Sequence, residues 1–167
     1  MNIRKADRND VKDISRIHAL SWKKAYKGML SQDYLDNLEE DFWVSAFDNW
    51  ITSKALTVQL IFDKNEPIGC IAYGKSRDNT LPDWAEIVSI YVLPEYFGRG
   101  CGKSLLHYAL SDLKTMGYDH VFLWVLDKNH QAQIFYKKNG FSETNQQIPC
   151  EISGQQLIDY RYTLQLT

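Results

Sequence analysis

The chain has 167 residues, 44% of them hydrophobic and 24% charged, which suits one globular domain with a core of its own. Its 19 basic and 21 acidic residues leave a net charge of −2, which gives no field for nucleic acid or an anionic membrane. Cys70, Cys101 and Cys150 lack C-x-x-C spacing and His18, His107, His120 and His130 lack ligand spacing, so neither a disulfide framework nor a metal site is expected.

In chain order, residues 2–6 read as a short strand. Asp7 then caps a helix, with Asp10 as its capping-box partner, and Val11, Ile14, Ile17 and Trp22 recur near helical spacing. A second helical region is expected over 31–53. Residues 56–63 and 67–75 alternate as two strands joined by a tight turn, and 84–92 form a third long strand that Pro94 ends. A glycine-rich loop leads into an amphipathic helix over 101–116, whose apolar stripe is Leu105, Leu106, Ala109, Leu110 and Leu113 and which Gly117 terminates. A buried strand over 120–126, a short helix over 129–138 and strands over 141–146 and 156–166 complete the order β-α-α-β-β-β-α-β-α-β-β, a mixed α/β layer with helices on both faces. The N-terminal segment lacks the apolar stretch of a signal peptide and no apolar run approaches the ~20 residues of a membrane span, so a single domain, 1–167, in the cytoplasm is expected.

Gly98, Gly100 and Gly102 alternate just ahead of the helix at 101, flanked by Arg99 and Lys103. Glycines let backbone N–H groups approach a ligand, and a helix N-terminus adds unpaired donors and a positive dipole end, so the loop suits a phosphate or pyrophosphate. Gly102-Lys103-Ser104 matches the end of a nucleoside-triphosphate P-loop, but Phe97 stands where its opening glycine belongs. A dinucleotide fingerprint begun at Gly100 fails at Leu105. The run V-x-P-x-x-x-G-x-G-x-G from Val92 to Gly102 resembles motif A of the GNAT acetyltransferase superfamily, with Phe97 where Gln or Arg is usual. Asn129, Ala132, Tyr136, Gly140 and Phe141 match every letter of its motif B, N-x-x-A-x-x-x-Y-x-x-x-G-F, in the expected order along the chain.

That resemblance implies a mixed, mostly antiparallel sheet of six to seven strands flanked by about four helices and splayed between the fourth and fifth strands. It implies acetyl-CoA as co-substrate and no metal. The cofactor's pyrophosphate would lie on Gly98, Arg99, Gly100, Cys101, Gly102, Lys103 and Ser104. Its pantetheine arm would lie along Ile90, Tyr91 and Val92 and beside Asn129, with an oxyanion donor near Val92. Tyr136 would protonate the departing thiolate, and Glu86 would take the amine proton through water. Period-two alternation puts Glu86 on one face with Val88, Ile90 and Val92. Trp22, Tyr26, Tyr73 and Trp84 are candidates to line the acceptor pocket, and the acidic run over 31–50 is a candidate rim. The expected partner is an amine-bearing small molecule or peptide. A homodimer is compatible with the sequence, and a non-catalytic acyl-CoA-binding module stays open beside the enzyme.

Overall fold

A computed structural model describes residues 1–167. The chain opens on strand β1 (Asn2–Lys5). The Asp7 side chain accepts from Asn9 N at 2.7 Å and the Asp10 carboxylate accepts from Asp7 N at 2.8 Å, a reciprocal cap on the turn before helix α1 (Val11–Ala25). The second helical region is two helices, α2 (Gln32–Asp36) and α3 (Val44–Thr52). Ser31 caps the first, and the Asn37 amide folds back onto the Asp33 carbonyl at 2.8 Å, ending it. Glu39, Glu40 and Asp41 follow in turns, where an acidic run lies at the dipole's unfavourable end.

Strands β2 (Thr57–Asp63), β3 (Glu66–Lys75) and β4 (Ala85–Val92) form an antiparallel meander. Helix α4 (Cys101–Thr115), strand β5 (His120–Leu126) and helix α5 (His130–Lys138) follow. Strands β6 (Ser142–Ile152) and β7 (Gln155–Gln165) close the chain as a hairpin. β6 runs past the expected end at 146 because Ser153 and Gly154, both at positive φ (51° and 76°), make the tight turn that keeps the two strands paired.

The seven strands lie in the order β1-β2-β3-β4-β5-β7-β6, all neighbours antiparallel except β4 and β5. Helix α1 covers one face, where the His18 ring meets the Cys70 thiol at 3.5 Å. Helix α4 covers the other, where the Tyr73 hydroxyl donates to Asp112 at 2.6 Å. Ile14, Ile17, Leu105, Leu106 and Ala109 are fully buried against the sheet from its two sides.

Candidate active site

The parallel pair β4/β5 is joined only at Ala85↔Val121 and Glu86↔Phe122, and beyond these residues the strands part. On β3, Ala72 pairs with Ser89 and Tyr73 with Ile87, so Val88 is an extra residue, a bulge that reverses the alternation of β4. Cross-strand partners share a face. Glu86 therefore lies on the α1 face with Ser89 and Tyr91, while Ile90 and Val92 turn to the α4 face with Ile87. This corrects the period-two grouping of Glu86 with Val88, Ile90 and Val92.

Two cavities meet at the parting. The first, about 620 Å³, lies on the α1 face between Glu86, Ser89, Trp124 and Asp159, with Trp22 and Tyr26 of α1 along its wall. The second, about 460 Å³, runs past Gly98, Gly100, Gly102 and Lys103 to Phe135. Ile90, Tyr91, Asn129, Ala132 and Tyr136 line both, so the two cavities adjoin at these residues.

At the second cavity, Gly98 and Gly100 hold φ of 77° and 82°, a region that a side chain disfavours. Gly100 is the N-cap of α4 and supplies no side-chain cap, so the first amides of that helix, at Cys101, Gly102 and Lys103, keep free N–H groups. The helix dipole adds its positive end there. Arg99 lies over the Tyr96 ring at 5.0 Å, and the buried Cys101 thiol turns toward Met1. Cys101 thus contributes backbone alone. The Leu93 amide donates to Ile68 of β3, so by antiparallel alternation Tyr91 also bonds to β3, and Ile90 and Val92 direct their backbone groups to the open edge. The Val92 carbonyl there is taken by the Ser21 hydroxyl at 2.8 Å, which leaves the Val92 N–H and both groups of Ile90 for a ligand.

Asn129 begins α5 by accepting from Ala132 N at 3.2 Å. One turn beyond Ala132, Tyr136 is only 8% exposed, its ring edge-on to Phe135 and Phe141. Its hydroxyl has no partner in the chain, and burial pushes the phenol above its ordinary value, so it is a neutral proton donor at the mouth of both cavities. Beside it the Tyr26 and Tyr91 hydroxyls lie 3.0 Å apart.

Glu86 is 3% exposed and held by Arg77 through the backbone N (3.1 Å), Nε (3.0 Å) and Nη2 (2.7 Å). Of the four aromatic candidates, Trp22 and Tyr26 line the first cavity, and Tyr73 and Trp84 line neither. Tyr73 pairs with Ile87 and so faces α4, where it is fully buried. Trp84 stacks on His120 at 4.7 Å, below the point where the strands part. The residues that sequence reasoning passed over are His18, Ser89, Trp124 and Asp159. The strict alternation of Phe122, Trp124 and Leu126 marks Trp124 in hindsight. No three His, Cys, Asp or Glu side chains gather as a metal site, and no helix is long and apolar enough to cross a membrane.

The sequence model of the Acetyltransferase (GNAT) family matches residues 15–141. The chain belongs to that family. As a GNAT acetyltransferase it is an acyltransferase enzyme. It is similar to the uncharacterized N-acetyltransferase YuaI of Bacillus subtilis (strain 168), 28% identical over 141 residues, covering 82% of this chain and 78% of that one. It is 27% identical over 146 residues to the spermidine N(1)-acetyltransferase of Thermoplasma acidophilum, covering 84% and 88% of the two chains. A crystal structure of the PaiA N-acetyltransferase from T. acidophilum, in complex with coenzyme A, superposes with a TM-score of 0.80 at 25% identity over 98% of each chain. The open seven-stranded sheet with its parallel, splayed β4/β5 pair is thus the GNAT fold.

Proposed function

We propose that this GNAT enzyme moves the acetyl group of acetyl-CoA to a primary amine of a small molecule or peptide, directly, in one ternary complex. The observation that carries this reading is the adjacency of the two cavities, with the free Tyr136 hydroxyl where they meet. The second cavity fits the donor. The amides at the start of α4 and the Lys103 ammonium suit a diphosphate, and the open-edge groups of Ile90 and Val92 suit the amides of a pantetheine arm. The spermidine in the name of the Thermoplasma relative is one member of the proposed acceptor class.

Acetyl-CoA supplies a thioester carbonyl that the amine nitrogen attacks. The Val92 N–H meets the oxyanion of the tetrahedral intermediate. As the C–N bond forms and the C–S bond breaks, Tyr136 gives its proton to the leaving sulfur. Glu86, clamped by Arg77 in the wall of the first cavity, receives the amine proton through water, since the clamp keeps the carboxylate from reaching the nitrogen itself.

Acceptor-dependent release of thiol from acetyl-CoA tests the reading. Tyr136→Phe should lower kcat by about a hundredfold or more while acetyl-CoA still binds, and Glu86→Gln should alter the pH–rate profile. Unchanged turnover in Tyr136→Phe, or no binding of acetyl-CoA to the native enzyme, would overturn it.

A further inference from the structure

Charge is almost matched within the first cavity, and the exception lies on β7. Glu86 is bound by Arg77 at 2.7 Å. Asp78 is bound at 2.7 Å by Arg161, whose guanidinium lies over the Trp124 ring at 4.8 Å. Each arginine is thereby paired with a carboxylate of the chain itself, although Arg161 Nε keeps an unpartnered N–H. Asp159 lines the same cavity and has neither an ion pair nor a hydrogen bond. Its neighbour Asp127 has a buried carboxylate oxygen that is also without a partner. Burial and Asp127 together push the Asp159 carboxyl above its ordinary value, so its charged form is held at a cost that a bound cation would relieve. Asp159 pairs with Leu126 at the end of β5, just before Asn129, which places it toward the α5 end of the cavity.

A second observation, independent of these acids, has the same sense. His18 Nδ1 lies 3.0 Å from the Ile14 carbonyl, an acceptor only, so this nitrogen carries the proton. Burial keeps the ring neutral, so Nε2 can only accept, and Ser89 must donate to it across 3.1 Å. The one Ser89 proton is thus spent on His18, and its oxygen offers the cavity lone pairs alone. Trp22 and Tyr26 add aromatic walls that suit a cation. The cavity therefore offers an N–H-rich cation a free carboxylate, a hydroxyl locked as an acceptor, and aromatic walls. The β6–β7 hairpin that carries Asp159 lies beyond the stretch, 15–141, that matches the family.

Resting on the acetyl-transfer reading above, we infer that Asp159 anchors a second, non-reacting ammonium of the acceptor, which makes the acceptor an aliphatic diamine or polyamine. The reacting nitrogen has to shed its proton before attack, so the charge that Asp159 holds belongs to the other nitrogen. The test compares butane-1,4-diamine with butylamine, which match in chain length, by initial rates of thiol release from acetyl-CoA. The native enzyme should favour the diamine in kcat/KM by about tenfold or more. Asp159→Asn should collapse that ratio toward one through the diamine's KM, and Asp159→Glu should restore part of it. Calorimetric binding of acetyl-CoA to both variants reports that the fold and the donor site are intact. A ratio near one in an active native enzyme would overturn the anchor alone, and so would an Asp159→Asn variant that slows both amines equally. No acetyl-CoA binding to the native enzyme would overturn the transfer reading itself, and the anchor with it.

Discussion

His18 lies among Trp43, Phe47 and Tyr91 with 3% of its surface exposed, and burial lowers its pKa from 6.5 to about 4. The folded-state value lies below the unfolded one, so as pH falls the unfolded chain takes up this proton first. Stability is therefore whole above pH 6.5 and is lost as pH falls toward 4. By pH 4.5 the difference amounts to about 2 to 3 kcal/mol. Asp10 and Asp48, held down by Arg4 and Arg8, add their own losses only at lower pH. Denaturant unfolding at pH 7 and pH 4.5 should show that loss in the native chain and a clearly smaller one in His18→Gln; equal losses would mean that another group titrates. His18 shows why single residues differ in legibility. Tyr136 and Asn129 are tied to a spacing along one helix, so their places in the site can be read from the string of letters. Tyr73 and Asp159 are placed by pairing with distant strands. In isolation an aromatic in one strand and an acid in another look like a pocket wall and a solvated edge, and they exchange those roles once the sheet is assembled.

At the level of elements, the strand and helix boundaries follow the period of the apolar residues wherever that period is unbroken, as in β5 and α4. They depart where one residue breaks it. Val88 carries no turn-forming chemistry, and only its lack of a partner in β3 reveals the bulge that turns Ser89 and Tyr91 toward the first cavity. At the β6–β7 turn the Ser153-Gly154 pair does carry a turn signal, but the polar stretch over 144–151 ahead of it lacks the apolar period that marks a strand. The glycine loop, by contrast, separates two demands that can be tested apart. Gly100 needs its positive φ, so Gly100→Ala should cost about 1 kcal/mol of stability. Gly102 is already helical, and an added methyl would sit in ordinary contact with the Phe135 ring, 3.6 Å away, on the wall of the second cavity. Gly102→Ala should keep or raise the melting temperature, since alanine is the better helix former, yet weaken acetyl-CoA binding by about tenfold or more. Undiminished affinity in Gly102→Ala, read by calorimetry, would show that the ligand does not approach that backbone closely.

Across the whole molecule, the order of elements and the two motifs were enough to expect the layered sheet, because each motif requires a strand before its helix. The meeting of the two cavities was not legible, because it depends on how far β4 and β5 diverge after two paired residues. On the proposed reading, that meeting of the cavities governs the kinetic order of the reaction. A covalent acetyl-enzyme would need a nucleophile in these cavities. Cys70 is fully buried in the core, and Cys101 is 1% exposed with its sulfur against Met1. Cys150 lines the first cavity, but burial and Asp159 raise its thiol above the ordinary value, which leaves little thiolate at neutral pH. On the proposed direct transfer, both substrates have to be present before any bond breaks. Initial rates with acetyl-CoA and amine varied together should give intersecting double-reciprocal lines, and no free thiol should appear when acceptor is left out. Parallel lines with a burst of thiol before acceptor is added would instead place the acetyl group on the protein, with Cys150 the first residue to examine for it.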